Sequence, residues 1–66
     1  MRVDVNGATQ ELDDGTTLLQ LIETLAGSAR GSAAVVDGSV IARSDWQSYA
    51  VRAGQRIELI TAVQGG

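Results

Sequence analysis

The sequence predicts an α+β roll, with one helix laid across one face of a mixed sheet of four or five strands. Three patterns carry that expectation. Met1-Arg2-Val3-Asp4-Val5 alternates apolar and charged residues, the period of a strand with one buried face. Leu18, Leu21, Ile22 and Leu25 fall at i, i+3, i+4 and i+7, a single helical stripe. Arg56 to Val63 is the longest strand pattern in the chain and lies at its far end.

The elements follow in order. After the first strand, Asn6-Gly7 predicts a two-residue type I′ turn, because both central positions of that turn need positive φ. Ala8 to Leu12 is then the returning strand, with Ala8, Gln10 and Leu12 on one face. Asp13-Asp14-Gly15 breaks it. Thr17 can cap the helix, with Gln20 completing a capping box, and Gly27 stops the helix from just beyond its end. Ser28 to Ser32 is expected to be a loop crossing back to the sheet. Ala33 to Val36 reads as a buried strand, Asp37-Gly38 as a turn and Val40 to Ala42 as a short extended piece. Ser44-Asp45-Trp46 starts a single helical turn, and Ala53-Gly54-Gln55 is the turn into the last strand. A helix of about ten residues cannot cover both faces of a sheet, so it lies across one. That is the ubiquitin-like, or β-grasp, arrangement, in which the terminal strand sits centrally beside the first. One domain over residues 1–63 and a flexible tail of residues 64–66 are the expected division.

Composition removes most chemistry. There is no cysteine and no histidine, so zinc sites, thiol catalysis and a general base that titrates near neutrality are excluded. All five positive charges are arginine, which removes Schiff-base chemistry and the lysine of a phosphate loop. Asp13-Asp14 lacks the spacing and companion ligands of a calcium loop, and reads as a turn. With a net charge of −3 and scattered arginines, no nucleic acid is expected as partner. No apolar run approaches the roughly 18 residues of a membrane span, and Met1-Arg2-Val3-Asp4 has no signal-peptide pattern, so the expectation is a cytoplasmic protein with no membrane partner.

What remains is the tail. At a glycine frequency of about 7%, two terminal glycines arise by chance in about 0.5% of chains. Gln64-Gly65-Gly66 is therefore either a frayed end or a thin, extended arm that carries a carboxylate into a narrow cleft, roughly 10 Å from the sheet.

Ile57 to Gly66, ending Ala62-Val63-Gln64-Gly65-Gly66, resembles the terminal strand and tail of the ThiS family, the small sulfur carrier proteins of thiamine biosynthesis. Arg43-Ser44-Asp45-Trp46 matches a second family pattern, and the opening Val3-Asp4-Val5-Asn6-Gly7 fits as well. One departure is Ala42, where the family usually has a proline before the arginine. The resemblance covers nearly the whole chain. It implies that the carboxylate of Gly66 is adenylated by a ubiquitin-activating-type adenylyltransferase with ATP and magnesium. The adenylate is then converted to a thiocarboxylate by sulfur from a cysteine desulfurase or another persulfide donor, and the thiocarboxylate donates sulfur to a thiazole synthase. The chain itself is then a co-substrate and not an enzyme, with no catalytic residue, bound cofactor or metal of its own. Val63, Gln64 and Gly65 would be the tail recognised by partners. If Ile57 and Leu59 face the helix, Glu58, Ile60 and Ala62 face outward. Ile60 and Ala62, bordered by Arg56 and Glu58, are then candidate docking residues or ordinary surface. Arg43 is either a partner contact or an arginine covering its bend. Trp46 and Tyr49 read as packing. The small subunit of a molybdopterin synthase uses similar chemistry, although the absence of proline argues against it. A ubiquitin-like protein modifier is a further alternative, although the lack of lysine excludes lysine-linked polymers.

Overall fold

A computed structural model describes residues 1–27 and 31–61, with Thr61 described by its backbone alone. The expected tail, residues 64–66, lies outside the described residues, as do Ala62, Val63 and most of the crossing loop. Strands β1 (Arg2–Val5) and β2 (Ala8–Glu11) form the opening hairpin, and helix α1 (Leu18–Ala26) follows. Strands β3 (Ser32–Val36) and β4 (Ser39–Ile41) form a second hairpin, a 3₁₀ turn covers Arg43–Asp45, and β5 (Arg56–Thr61) closes the sheet. The strand order is β2-β1-β5-β3-β4, with β5 parallel to β1 and antiparallel to β3. The last strand therefore sits in the middle, as the roll required.

Both hairpins turn on two residues in the left-handed region: Asn6 and Gly7 at φ 52° and 84°, Asp37 and Gly38 at 49° and 86°. These values suit the type I′ turn, whose twist matches that of the paired strands. Within β1 the alternation works as read, with Val3 and Val5 buried and Arg2 exposed.

The start of α1 leaves none of its first amides stranded. Thr17 accepts from the Gln20 amide while the Gln20 side chain accepts from the Thr17 amide, the expected capping box. The two amides between them are taken by a distant segment: Leu18 N–H donates to the Tyr49 carbonyl at 2.8 Å and Leu19 N–H to that of Trp46 at 3.2 Å. Val51 returns a bond to the Thr16 carbonyl at 2.9 Å. Gly27 ends the helix at φ 76°, its amide bonded to the Glu23 carbonyl.

Leu18, Leu21 and Ile22 meet Val3, Val5, Ala34, Val36 and Ile57 from the sheet. Trp46 fills the end of this core at 1% exposure, its indole N–H donating to the Ile41 carbonyl at 2.9 Å. Packing is thus the role of Trp46, and Tyr49 is packed partly buried against the same cluster.

Several boundaries and burials differ from the sequence reading. Ser32 belongs to β3 rather than to the loop, and β4 runs Ser39–Ile41 rather than 40–42. Strand β3 is not buried throughout: Ala33 is exposed and Val35 half-buried, because α1 covers one face of the sheet and the period of two turns alternate residues outward. Leu25 is 45% exposed although it lies on the apolar stripe. It sits in the last turn of α1 and borders an open groove against Leu12 of the β2 side rather than the closed core.

Ala42 has φ −62° and ψ 142°, the backbone that a proline would impose. Ala42→Pro is accordingly expected to raise stability by about 0.4–1 kcal/mol through a less flexible unfolded chain, seen as a higher urea midpoint. Trp46→Ala is expected to cost about 3–5 kcal/mol, enough to unfold most of a domain this small. Far-ultraviolet circular dichroism, which does not need the tryptophan, measures that loss.

Candidate functional site

The candidate site is the sheet face that α1 leaves uncovered. Strand register decides which side chains share it. Val5 pairs with Ile57, Val36 with Ile57 and Ala34 with Leu59, so these residues face the helix. The complementary set, Arg56, Glu58 and Ile60 on β5, Ala33 and Val35 on β3 and Val40 on β4, faces away. Ile60 is 57% exposed and Val40 77%.

This open face is divided. Ile60 pairs with Ala33, and Val35 pairs with both Glu58 and Val40, which makes one apolar area over β5, β3 and β4 that runs from the middle of β5 at Glu58 toward its end at Ile60. Toward β1 and β2 the face is charged, with Asp4 beside Arg56 in the parallel register and Arg2 3.4 Å from Glu11. The exposed Arg2–Glu11 pair sits in water and contributes little to folding, whereas the half-buried Asp4 accepts from the Gly7 amide at 2.9 Å. A shallow groove between β1 and β5, lined by Asp4, Asn6, Arg56 and Glu58, separates the halves.

Of the predicted docking residues, Arg56, Glu58 and Ile60 do form one row on β5. Ala62, Val63, Gln64, Gly65 and Gly66 lie outside the described residues. Arg43 is not part of that row. It stands in the 3₁₀ turn, its guanidinium carbon 5.7 Å from the centre of the Trp46 ring, a cation–π contact that shields the indole. Val40, Ala33 and Val35 join this face beyond the residues expected there, although a strand with Ala34 and Val36 in the core turns Ala33 and Val35 outward. The turn signal of Asn6-Gly7 accounts for only part of what Asn6 does. Its carboxamide in fact grips β5, with Oδ1 accepting from the Leu59 amide at 2.9 Å and Nδ2 donating to the Leu59 carbonyl at 3.3 Å. No group among the described residues could hold a metal ion through three or more acidic side chains, and no described helix is long and apolar enough to cross a membrane.

The family model of the ThiS family matches residues 3–66. A comparison with curated proteins finds no match. Among solved structures, that of the thiamine biosynthesis protein ThiS from Geobacter metallireducens is similar over 100% of this chain and 100% of its own, with a TM-score of 0.81 and 23% sequence identity. The likeness establishes the fold, the mixed five-stranded β-grasp sheet with one helix.

The division of the face predicts a contrast between neighbours on β5. Ile60→Ala is expected to change stability by no more than about 0.5 kcal/mol, whereas Ile57→Ala, at a fully buried position, costs about 2–5 kcal/mol. Urea denaturation of the two variants checks it, and equal losses would show that Ile60 is part of the core.

Proposed function

Because the chain belongs to the ThiS family, we propose that it carries sulfur as a thiocarboxylate on Gly66 for assembly of the thiazole part of thiamine. A member of this family is a small sulfur carrier and not a catalyst, and the family implies an adenylyltransferase and a thiazole synthase as partners. The observation that carries the reading is the position of β5. The strand is central, paired with β1 and β3, and its last described residue, Thr61, stands five positions before Gly66. The sheet interior thus anchors the segment that leads to the reacting group.

The chemistry follows from the electrophile. A carboxylate resists nucleophilic attack because its leaving group would be oxide. The partner transfers AMP from ATP to the Gly66 carboxylate and releases pyrophosphate, which gives a mixed anhydride with AMP as a good leaving group. A persulfide displaces AMP and leaves an acyl disulfide. A thiol then cleaves that disulfide, so the sulfur stays on the glycine as a thiocarboxylate and the donor leaves as a disulfide with the thiol. Free sulfide reaches the same product in one displacement. Magnesium and the catalytic groups belong to the partner. This chain supplies a positioned terminus and a surface for docking.

The apolar half of the open face suits that docking. Ile60, Ala33, Val35 and Val40 present apolar surface next to the end of β5, with Glu58 and Arg56 at its border. A partner seated there buries apolar area without disturbing the core on the other side. Val63 to Gly65 then enter the adenylylation cleft, where glycine lets the backbone pass between close walls.

Incubation of the full chain with ATP, magnesium, an adenylyltransferase of this family and sulfide is expected to raise its mass by about 16 Da, one oxygen exchanged for sulfur, in proportion to AMP formed. No mass gain under conditions that thiolate another ThiS-family carrier would overturn the proposal. Removal of Gly66 is expected to abolish the gain while leaving the melting temperature unchanged, since the last described pair of the sheet is Ser32 with Thr61. A large fall in melting temperature would contradict that second expectation.

A further inference from the structure

The parallel ladder between β1 and β5 ends in an unusual way. Asp4 N–H donates to the Gln55 carbonyl and Asn6 N–H to the Ile57 carbonyl, each at 2.9 Å, two successive rungs with the spacing of a parallel pair. The next rung falls on Leu59. At that level the backbone of β1 is no longer alongside, because the chain has turned through Asn6-Gly7 toward β2. The Asn6 side chain takes over. Its carboxamide has an acceptor and a donor about as far apart as those of a peptide group, and it uses both on the Leu59 amide and carbonyl, 53 positions along the chain.

The other clamp on β5 is different in kind. Asp37, in the turn between β3 and β4, accepts from the Arg56 amide through its carboxylate at 2.9 Å, while its own backbone N–H donates to the Arg56 carbonyl at 2.8 Å. Those contacts hold the beginning of the strand from its opposite edge, and an ionised carboxylate can only accept. What sets the finishing end apart is that a side chain alone makes both bonds there, where β3 continues alongside to Thr61 while β1 has turned away.

We infer that Asn6 is a positioning residue for activation of the terminus: by replacing the missing rung at Leu59 it keeps the end of β5 in the plane of the sheet and so sets the direction in which the chain leaves it. The inference rests on the sulfur carrier reading, since it concerns delivery of Gly66 to a partner. Asn6 touches neither the reacting carboxylate nor ATP in this scheme. Its effect is to narrow the range of headings from which the terminus must find the adenylylation cleft, and so it acts on the rate of productive delivery more than on docking of the sheet face.

The test uses the full chain with its adenylyltransferase, ATP and magnesium, following pyrophosphate release. Asn6→Gly removes the carboxamide but suits the φ of 52° at this position, so the turn is kept. Asn6→Asp keeps the acceptor and sets a second acceptor against the Leu59 carbonyl. Asp37→Gly, which removes the carboxylate bond at the start of β5 and leaves the backbone bond in place, is the control for lost stability. Asn6→Gly is expected to lower kcat about tenfold with KM within about twofold, and Leu59 amide exchange is expected to speed up by about tenfold or more relative to that of Ile57. Asn6→Asp is expected to move both quantities the same way. Asp37→Gly is expected to lose about as much stability with kcat and KM within about twofold of wild type. Wild-type kcat in Asn6→Gly, or an equal fall in Asp37→Gly, overturns the inference. If Asn6→Gly does not fold, wild-type kcat in Asn6→Asp overturns it instead. An inert wild-type chain sinks the carrier reading and this inference together, whereas an active wild type matched by the Asn6 variants sinks the inference alone.

Discussion

Hydrogen bonding of the last strand along both of its edges is the constraint on which this small molecule depends. β5 joins β1 on one side and β3 on the other, so it links two hairpins that make no ladder with each other. Its inward residue Ile57 is completely buried between Val5 and Val36, under Leu18 and Ile22. Remove that strand and the two hairpins lose their common partner, and an isolated hairpin is marginal in water. The same placement gives the proposed reaction its anchor: a terminus must be both accessible and aimed, and a central strand with Asn6 bonded near its end supplies aim while no side chain takes part in bond making.

The helix and the segment from Trp46 to Val51 complete the structure in a similar economical way. Leu18 and Leu19 give their amides to backbone carbonyls that the chain reaches only some thirty residues later, while Thr17 and Gln20 satisfy one another. This closes one end of the core over Trp46, and among the described residues no charged or polar residue is fully buried, Ser32 Oγ being the one shielded polar side-chain atom without a partner. Core and candidate docking face are consequently separable, since they occupy opposite sides of the same sheet. Substitutions on the outer side can alter recognition at little cost to folding.

Much of this was legible in the residues, and the limits are instructive. Asn6-Gly7, Thr17 with Gln20, and Gly27 each require a particular backbone that few other residues supply, so the first hairpin and the helix ends are written locally. The alternation of Arg56 to Ile60 placed Ile57 inward and Ile60 outward. The run Ala33 to Val36 misled because small apolar residues fit either side of a sheet, and composition alone does not say that one face lacks a cover. Leu25 misled because a stripe marks a helix face but not how far the sheet extends beneath it. Nothing in the sequence joins Asn6 to Leu59 or Asp37 to Arg56, since those contacts exist only once non-neighbouring strands have been brought side by side. The tail was read from its composition and its resemblance, and its proposed chemistry rests on family membership rather than on packing.

The parallel pairing of β1 with β5 also governs how the molecule is made. Asp4 meets Arg56 and Val5 meets Ile57 across nearly the whole length of the chain, so the contacts that close the sheet are among the most remote the polypeptide can form. Loop closure over such a span must precede any reward from the pairing, which slows acquisition of the native state relative to a helical protein of equal size. During translation the opening hairpin and the helix emerge first and wait with their apolar faces exposed. The two halves therefore cannot be zipped together until β5 itself has been made.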